Sequence, residues 1–165
     1  MTTQIYYQPR SLEEATSLLA EHGPELLVMA GGTLAMPLIN EGVSMPEKVL
    51  GLRHAGLDYQ KRINGNFAIG ATTTLTKMLA NADIPILQAA ARNGGGWAIR
   101  NMGTIGGNLF APPPAGDFAV ALLALDAQVK LVKKGGVRWV PLLDFFTGFM
   151  TTVLQPGELV AEVKF

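Results

Sequence analysis

The chain has 165 residues and a formal net charge of zero, so it lacks the basic excess that an electrostatic nucleic-acid binder needs. It contains no Cys and only two His, which excludes disulfides, Cys nucleophiles, iron–sulfur ligation and Cys-based zinc sites. Nineteen Gly and only 16 % charged residues, against roughly 25 % in an ordinary soluble domain, favour chemistry borrowed from a cofactor.

The first third of the sequence predicts alternating helices and strands. Ser11 and Glu14 form a capping-box pattern at the start of a helix over 11–23. An apolar run at 26–30 predicts a strand buried on both faces, and Thr33 is expected to cap a short helix over 34–40. A second buried strand is predicted at 48–52.

The hydrophobic period changes after residue 57, which predicts a second subdomain beginning near residue 58. Residues 57–63 roughly alternate, Asn64-Gly65 is typical of a tight hairpin turn, and 67–71 returns as a strand. Further helices are predicted at 74–80, 84–93, 117–127 and 142–146, strands at 128–133, 137–140 and 158–165, and a long loop at 97–116.

Two glycine-rich segments are the candidate binding site. Residues 30–34 read Ala-Gly-Gly-Thr-Leu, and residues 102–108 read Met-Gly-Thr-Ile-Gly-Gly-Asn. An isolated Gly-Gly pair is more often only a tight turn, but two such loops could turn their N–H groups toward one diphosphate. Neither segment is a Walker A loop or a dinucleotide-binding Gly-x-Gly-x-x-Gly fingerprint, so the pattern favours a dinucleotide held by backbone groups without a lysine.

These segments resemble the flavin subunits of molybdenum hydroxylases, the family of xanthine dehydrogenase and aerobic carbon monoxide dehydrogenase. The likeness begins with 7–15 and 28–38, continues through Gly-Ala-Thr-Thr-Thr-Leu at 70–75 and 99–109, and ends with Pro-Ala-Gly-Asp at 114–117 and 122–127. The Thr-Ile-Gly-Gly-Asn block at 104–108 is its most specific element. The similarity covers nearly the whole chain.

The resemblance implies an α+β, two-subdomain FAD-binding fold of the vanillyl-alcohol-oxidase or PCMH type. A small N-terminal α/β subdomain at 1–57 would precede a larger one at 58–165 with an antiparallel sheet and helices, and the family's C-terminal domain would be absent. FAD would lie extended between the subdomains. The residues implied to hold it are Val28, Met29, Ala30, Gly31, Gly32, Thr33, Leu34, Gly95, Thr104, Ile105, Gly106, Gly107, Asn108, Asp117 and Val160, with Asp117 at the adenosine end and Val160 near the flavin ring.

The function implied by the resemblance is electron transfer without catalytic side chains or metal ligands of the chain's own. Electrons from the iron–sulfur clusters of one partner, fed by a molybdenum-cofactor subunit, would pass through FAD to NAD+ or another acceptor. A cytoplasmic location is expected because no run reaches the roughly 18 apolar residues of a membrane helix and no signal peptide is visible. The alternative is a non-catalytic structural or assembly module on the same scaffold, with weak or no FAD binding.

Simpler structural roles stand beside several of these assignments. Asp117 could be an ordinary helix N-cap, and Arg100 could neutralise phosphate or form a surface salt bridge. The threonines at 72–74 and 76 are expected to end strands and cap helices. The aromatic residues Trp97, Trp139, Phe145, Phe146 and Phe149 are expected in the core or at an interface, not stacked on a flavin.

Overall fold

The computed structural model describes residues 5–111 and 116–165, which form a mixed helix and sheet fold built around two sheets. The first sheet is parallel, in the order β1 (Ile5–Tyr7), β3 (Lys48–Gly51) and β2 (Leu26–Met29). Helix α1 (Leu12–His22) connects β1 to β2, and α2 (Ala35–Asn40) lies between β2 and β3. The predicted α+β class is confirmed.

The second sheet is antiparallel and has five strands. Its order is β4 (Gln60–Ile63), β5 (Asn66–Gly70), β10 (Leu159–Lys164), β6 (Gln128–Lys133) and β7 (Gly136–Pro141). The remaining elements are α3 (Leu75–Ala80), α4 (Pro85–Asn93), α5 (Trp97–Met102), α6 (Ile105–Asn108), α7 (Asp117–Leu123), α8 (Leu142–Phe145) and a hairpin of β8 (Phe146–Gly148) with β9 (Thr151–Thr152). None of the helices in these ranges has the length and apolar character of a membrane span.

Two apolar clusters hold the sheets and helices together. The larger one packs α3, α4 and α7 against one face of the five-stranded sheet, with Phe118 and Phe145 fully buried at its centre. The smaller one joins α1 and β3 to Val132, Leu159 and Ala161 of that sheet. Residues on both sides of position 58 therefore share a core, and the division into subdomains at 57 and 58 stays a prediction.

The capping and turn predictions explain the local structure well. Ser11 Oγ accepts from the backbone N–H of Glu14 at 3.1 Å. In a capping box the Glu14 carboxylate would accept from the N–H of Ser11, but here it accepts from the N–H of the preceding residue, Arg10. Asn64 and Gly65 both have positive φ, at 52° and 88°, as a two-residue hairpin turn between twisted strands requires.

Three predictions about local structure are wrong. Residues 97–102 and 105–108 are helical, so the long loop predicted at 97–116 is not one loop, and its Pro114 and Ala115 lie outside the described residues. Thr33 does not cap α2, whose N-cap is Leu34 without a side-chain hydrogen bond. Strand β2 is only partly buried because it is the edge strand of its sheet, whereas the central strand β3 is buried as expected.

Candidate functional site

The two glycine-rich loops meet directly in the fold. A Cβ built on Gly31 would stand 1.8 Å from the carbonyl oxygen of Met102 and 3.2 Å from Gly103 Cα. Gly31 is therefore needed for the close approach of one backbone to another, not for a positive φ. The contact sets the first loop, which follows β2, against the end of α5 and the start of the second loop.

The first loop presents free backbone donors. Within the described ranges, the N–H groups of Gly32, Thr33 and Leu34 donate to no protein acceptor, because they precede the first hydrogen-bonded turn of α2. The first such bond runs from Met36 N to Gly32 O at 2.8 Å. The loop can therefore supply N–H groups and the Thr33 hydroxyl to an acceptor-rich ligand.

The second loop is different, because its N–H groups are already used. Ile105 N and Gly106 N donate to the carbonyls of Thr73 and Ala71, both at 3.0 Å. Gly107 N donates to the hydroxyl of its N-cap residue Thr104 at 3.1 Å. These bonds fix the short helix α6 on the turn that follows β5. The second loop can therefore offer a ligand a fixed wall and the proton of the Thr104 hydroxyl, but not these N–H groups.

Two adjoining cavities lie along the junction of these loops. The first, of about 460 Å³, extends toward α4, α5 and α7, and the second, of about 270 Å³, lies over β2 and α2. They share Thr33, Leu34, Thr104 and Gly107. Among the described lining residues of both cavities, Asp117 is the one charged side chain, so this cleft is close to electrically neutral.

Most of the predicted site residues line this cleft. In the first cavity are Thr33, Leu34, Gly95, Thr104, Gly107, Asn108 and Asp117; in the second are Val28, Met29, Ala30, Gly31, Gly32, Thr33, Leu34, Thr104 and Gly107. The structure places Ile105, Gly106 and Val160 elsewhere. Ile105 and Val160 pack in the larger apolar cluster, and a Cβ on Gly106 would meet Ala71 Cβ at 2.7 Å.

The sequence left open whether Asp117 caps a helix or binds a ligand, and in the structure Asn108 takes the capping role. Asp117 is the first residue of α7, and the side-chain acceptor at that helix start is Asn108, whose Oδ1 accepts from Phe118 N at 3.1 Å. The Asp117 carboxylate accepts no hydrogen bond from the residues that the structure describes, and it lines the first cavity. It is thus available to a ligand's hydroxyl groups.

Arg100 neither forms a salt bridge within the described residues nor lines the cleft. Its Nη1 donates to the carbonyls of Gly95 at 2.6 Å and Arg92 at 3.3 Å, which joins the end of α4 to α5. Gly95 has φ +81°, and its N–H donates to Asn93 O at 2.7 Å. Arg100 therefore fixes the tight turn that forms one wall of the first cavity.

Several lining residues were not among the predicted site residues, although Leu38, Leu75 and Ile99 lie within the segments that resemble the family. Leu75, Asn93, Ile99 and Ala111 line the first cavity, and Leu27, Leu38, Ser44 and Phe110 line the second. They lie on β2, on helices and on segments between elements, and only the tertiary fold brings them to the loops. Gly94 and Gly103 also line the first cavity, and their positions beside Gly95 and Thr104 could have identified them.

The predicted capping role is confirmed for one of the threonines, Thr74. Thr74 Oγ1 caps α3, and the Thr73 hydroxyl donates to Tyr59 O at 3.0 Å. None of the five aromatic residues considered for flavin stacking lines either cavity; Phe145 is buried, whereas Trp97 and Phe149 are 76 % and 78 % exposed. His22 stacks on the ring of Tyr7 with 5.0 Å between centroids.

The ionisable groups with perturbed pKa values lie away from the cleft. A hydrogen-bonded ion pair with Arg138 lowers the pKa of Glu158, which also accepts from Gln155 N at 2.8 Å ahead of β10. The pKa of Tyr59 is raised mainly by burial and also by the hydrogen bond that its hydroxyl donates to Glu162. Neither pair faces the two cavities. Within the described ranges, no cluster of three or more His, Cys, Asp or Glu could hold a metal ion.

Comparison with known proteins identifies the family. The family model described as "FAD binding domain in molybdopterin dehydrogenase" matches residues 1–165. The chain belongs to this family. This FAD binding domain is 35 % identical to the glyceraldehyde dehydrogenase medium chain of Sulfolobus acidocaldarius, over 96 % of its own length and 58 % of the relative's. It is 36 % identical to the 6-hydroxypseudooxynicotine dehydrogenase complex subunit alpha of Paenarthrobacter nicotinovorans, over 96 % and 55 %.

A solved structure shows the same fold. The cyanide-inactivated Cu,Mo-CO dehydrogenase contains a chain that superposes on this FAD binding domain with a TM-score of 0.92 at 29 % identity. The superposition covers 99 % of the domain and 60 % of that chain. The domain thus spans little more than half the length of the relatives it matches. Family membership confirms the predictions of FAD as the cofactor and of an oxidoreductase family.

The cleft of this FAD binding domain fits a dinucleotide. Its two cavities share Thr33, Leu34, Thr104 and Gly107, and free N–H groups of the first loop lie beside the two threonine hydroxyls. Phosphate oxygens are strong hydrogen-bond acceptors, and backbone N–H groups at a glycine-rich turn bind them without a lysine. Two adjoining, nearly uncharged cavities suit a cofactor with a ring system on each side of a diphosphate.

Proposed function

We propose that this chain is the FAD-binding part of the flavin subunit of a molybdenum hydroxylase-type dehydrogenase. FAD lies extended in the cleft, with its diphosphate between the two glycine-rich loops. The fold is assigned to the two-subdomain vanillyl-alcohol-oxidase or PCMH type, with residues 1–57 and 58–165 on the two sides of the cofactor. The observation that carries the proposal is the convergence of Gly32, Thr33, Leu34 and Thr104 on one junction between two cavities.

The first cavity is assigned to the adenosine end of FAD. The unpaired Asp117 carboxylate supplies an acceptor for ribose hydroxyls, and the turn around Gly95 allows a flat group to approach the backbone. The second cavity, lined by apolar residues of β2 and α2, is assigned to the flavin side. Val160 packs in the larger apolar cluster and lines neither cavity.

The chain itself contributes binding, orientation and exclusion of water. When bound, FAD supplies the redox chemistry, since its ring system accepts and releases electrons or hydride. These 165 residues contain no Cys and cannot ligate an iron–sulfur cluster, so a cluster that reduces the FAD would lie outside them. The names of the two relatives describe them as a medium chain and as a subunit of a complex. An iron–sulfur subunit and a molybdenum-cofactor subunit are the proposed partners, and NAD+ is one candidate acceptor.

Binding of half-ligands tests the placement of FAD. ADP is expected to compete with FAD for the site. Asp117→Asn should lower the affinity for FAD and for ADP about tenfold, because a hydrogen bond to a charged acceptor is lost, and should leave the affinity for FMN unchanged. Thr33→Val should weaken all three ligands, and Thr33→Ser should restore them. Ser17→Ala, on α1 and far from the cleft, is the control. If Asp117→Asn weakens FMN as strongly as ADP, the assignment of the first cavity is wrong.

A separate experiment tests the electron path. The chain, co-expressed with a Cys-bearing iron–sulfur subunit and a molybdenum-cofactor subunit, should purify as a complex in which substrate reduces bound FAD. If the complex forms but contains no flavin, the alternative of a non-catalytic assembly module is correct.

A further inference from the structure

A third cavity shares Ala30 and Thr104 with the lining of the flavin cleft. It measures about 210 Å³ and lies between the turn after β3, the turn that follows β5, and the end of α5. Its polar lining residues are Arg53, Asp58, Thr72, Thr74, Asn101 and Thr104. A water molecule takes up roughly 30 Å³ in the liquid, so the space suits a polar group larger than one water.

Thr72 is the feature that points to a ligand. Its side chain is 5 % exposed, and its hydroxyl oxygen is buried without a hydrogen-bond partner among the described residues. A buried hydroxyl without a partner costs free energy, and native proteins almost always satisfy such groups. Thr72 is one of the residues that line this cavity.

The other polar groups of the wall are mainly unused donors. Thr74 and Thr104 each accept a backbone N–H at the start of a helix, which leaves their hydroxyl protons without a protein acceptor in the described chain. Asn101 accepts from the Thr76 hydroxyl at 2.7 Å through its carbonyl oxygen, so its amide N–H groups remain to donate. Three hydroxyls and an amide therefore offer protons around one small space.

The charges in this cavity favour an anion. The Arg53 guanidinium contacts Met102 Sδ at 2.8 Å and forms no ion pair with a carboxylate among the described residues. The one carboxylate of the wall, Asp58, is paired with Lys77 at 2.5 Å. Arg53 is thus the uncompensated charge, and its planar fork of N–H groups matches an oxyanion.

We propose that this cavity binds a small oxyanion, with Arg53 as its counter-ion and the Thr72 hydroxyl as a buried donor. Such an oxyanion could be a free anion, or it could be a phosphate of FAD, since Thr104 and Ala30 line both this cavity and the flavin cleft. The two sources share the same chemistry, and competition with FAD distinguishes them. Failure of FAD to bind leaves phosphate binding unaffected, so this proposal and the proposed function fail separately.

Isothermal titration with inorganic phosphate, on FAD-free and FAD-loaded protein, is the test. Phosphate is expected to bind saturably. Its affinity should be about tenfold lower in Arg53→Gln, because a charged hydrogen bond is lost, and should be partly restored in Arg53→Lys. Thr72→Val should weaken phosphate several-fold without lowering Tm, because it replaces an unsatisfied hydroxyl with an isosteric methyl group. Thr72→Ser should bind phosphate as the wild type does, and Arg10→Gln, distant from the cavity, is the control.

Each outcome decides the matter. Phosphate binding to FAD-loaded protein, with FAD affinity unchanged in Arg53→Gln, establishes a separate anion site. Phosphate that competes with FAD, together with weaker FAD binding in Arg53→Gln and Thr72→Val, assigns the oxyanion to the cofactor. The proposal is wrong if phosphate shows no saturable binding and neither variant changes FAD affinity. It is also wrong if Thr72→Val lowers Tm because an internal water is lost. In both cases the cavity holds only water.

Discussion

Gly31→Ala is expected to separate the two glycine-rich loops and to weaken FAD binding. The new Cβ would lie 1.8 Å from Met102 O, whereas real Cβ atoms are essentially never closer than 3.0 Å to a neighbour. One backbone must therefore move by about 1.2 Å (3.0 − 1.8). Gly31 does not have a positive φ, so alanine fits its backbone conformation and the expected effect is purely steric.

The size of the effect follows from what can move. The opposing atoms belong to the backbone of Met102 and Gly103, and Gly103 O is held by Leu75 N at 3.0 Å. The second loop is anchored, so the first loop, on an edge strand, should give way. Overpacking of this kind costs roughly 1–3 kcal/mol of stability. A displacement of this size removes the first loop's N–H groups from phosphate, so FAD affinity should fall at least tenfold.

Gly96→Ala is the matched control. Gly96 also has a negative φ, at −72°, and a Cβ there meets nothing within 4 Å. Urea unfolding and FAD titration of both variants test the reasoning. We expect Gly96→Ala to match the wild type within about 0.5 kcal/mol. Equal stability and equal FAD affinity of Gly31→Ala and Gly96→Ala would refute the proposed loop contact.

Three further variants test contacts of the fold, one at the cleft and two away from it. Asn108→Ala should destabilise the domain by about 1 kcal/mol in urea unfolding through loss of the acceptor for Phe118 N, and Asn108→Asp should retain most of that stability. Because Arg138 lowers the pKa of Glu158, this carboxylate stabilises the fold above the ordinary glutamate pKa of about 4.3, and the contribution is lost as the pH falls through the lowered value. The Tm of Glu158→Gln should therefore lie below that of the wild type at pH 7, and the two should converge in acid; a constant difference would contradict this. Burial raises the pKa of Tyr59, so one tyrosine should resist ionisation beyond about pH 10, and Tyr59→Phe should lose less stability than the wild type in alkali.

The local signals of the sequence predicted most of the regular elements. Ser11 and the Asn64-Gly65 turn identify a helix start and a hairpin because their chemistry acts within a few residues. The sequence of residues 97–116 does not predict helices because α5 and α6 are short and flanked by glycine. The first turn of α6 is held by hydrogen bonds from Ile105 N and Gly106 N to the carbonyls of Thr73 and Ala71, in the turn after β5. Such bonds leave no periodic pattern in the segment itself.

The candidate site was predictable in its loops but not in the reason for each glycine. Gly31 and Gly106 were expected to admit a phosphate, and the structure shows that they admit protein: Met102 in one case and Ala71 in the other. A Gly-Gly pair in a sequence does not show what approaches it. Replacement of Gly106 by a bulky residue would thus disturb the core, and Thr33 and Asp117 are the better probes of the cofactor.

The central claim, that the cleft between the two loops holds FAD, is tested most directly by titrating the purified chain with FAD. The visible absorbance and quenched fluorescence of bound flavin should saturate at one FAD per chain, and Tm should rise as the ligand binds the folded state. Gly31→Ala should lose this binding, and Gly96→Ala should keep it. Absence of bound flavin and of any rise in Tm at saturating FAD would contradict the account.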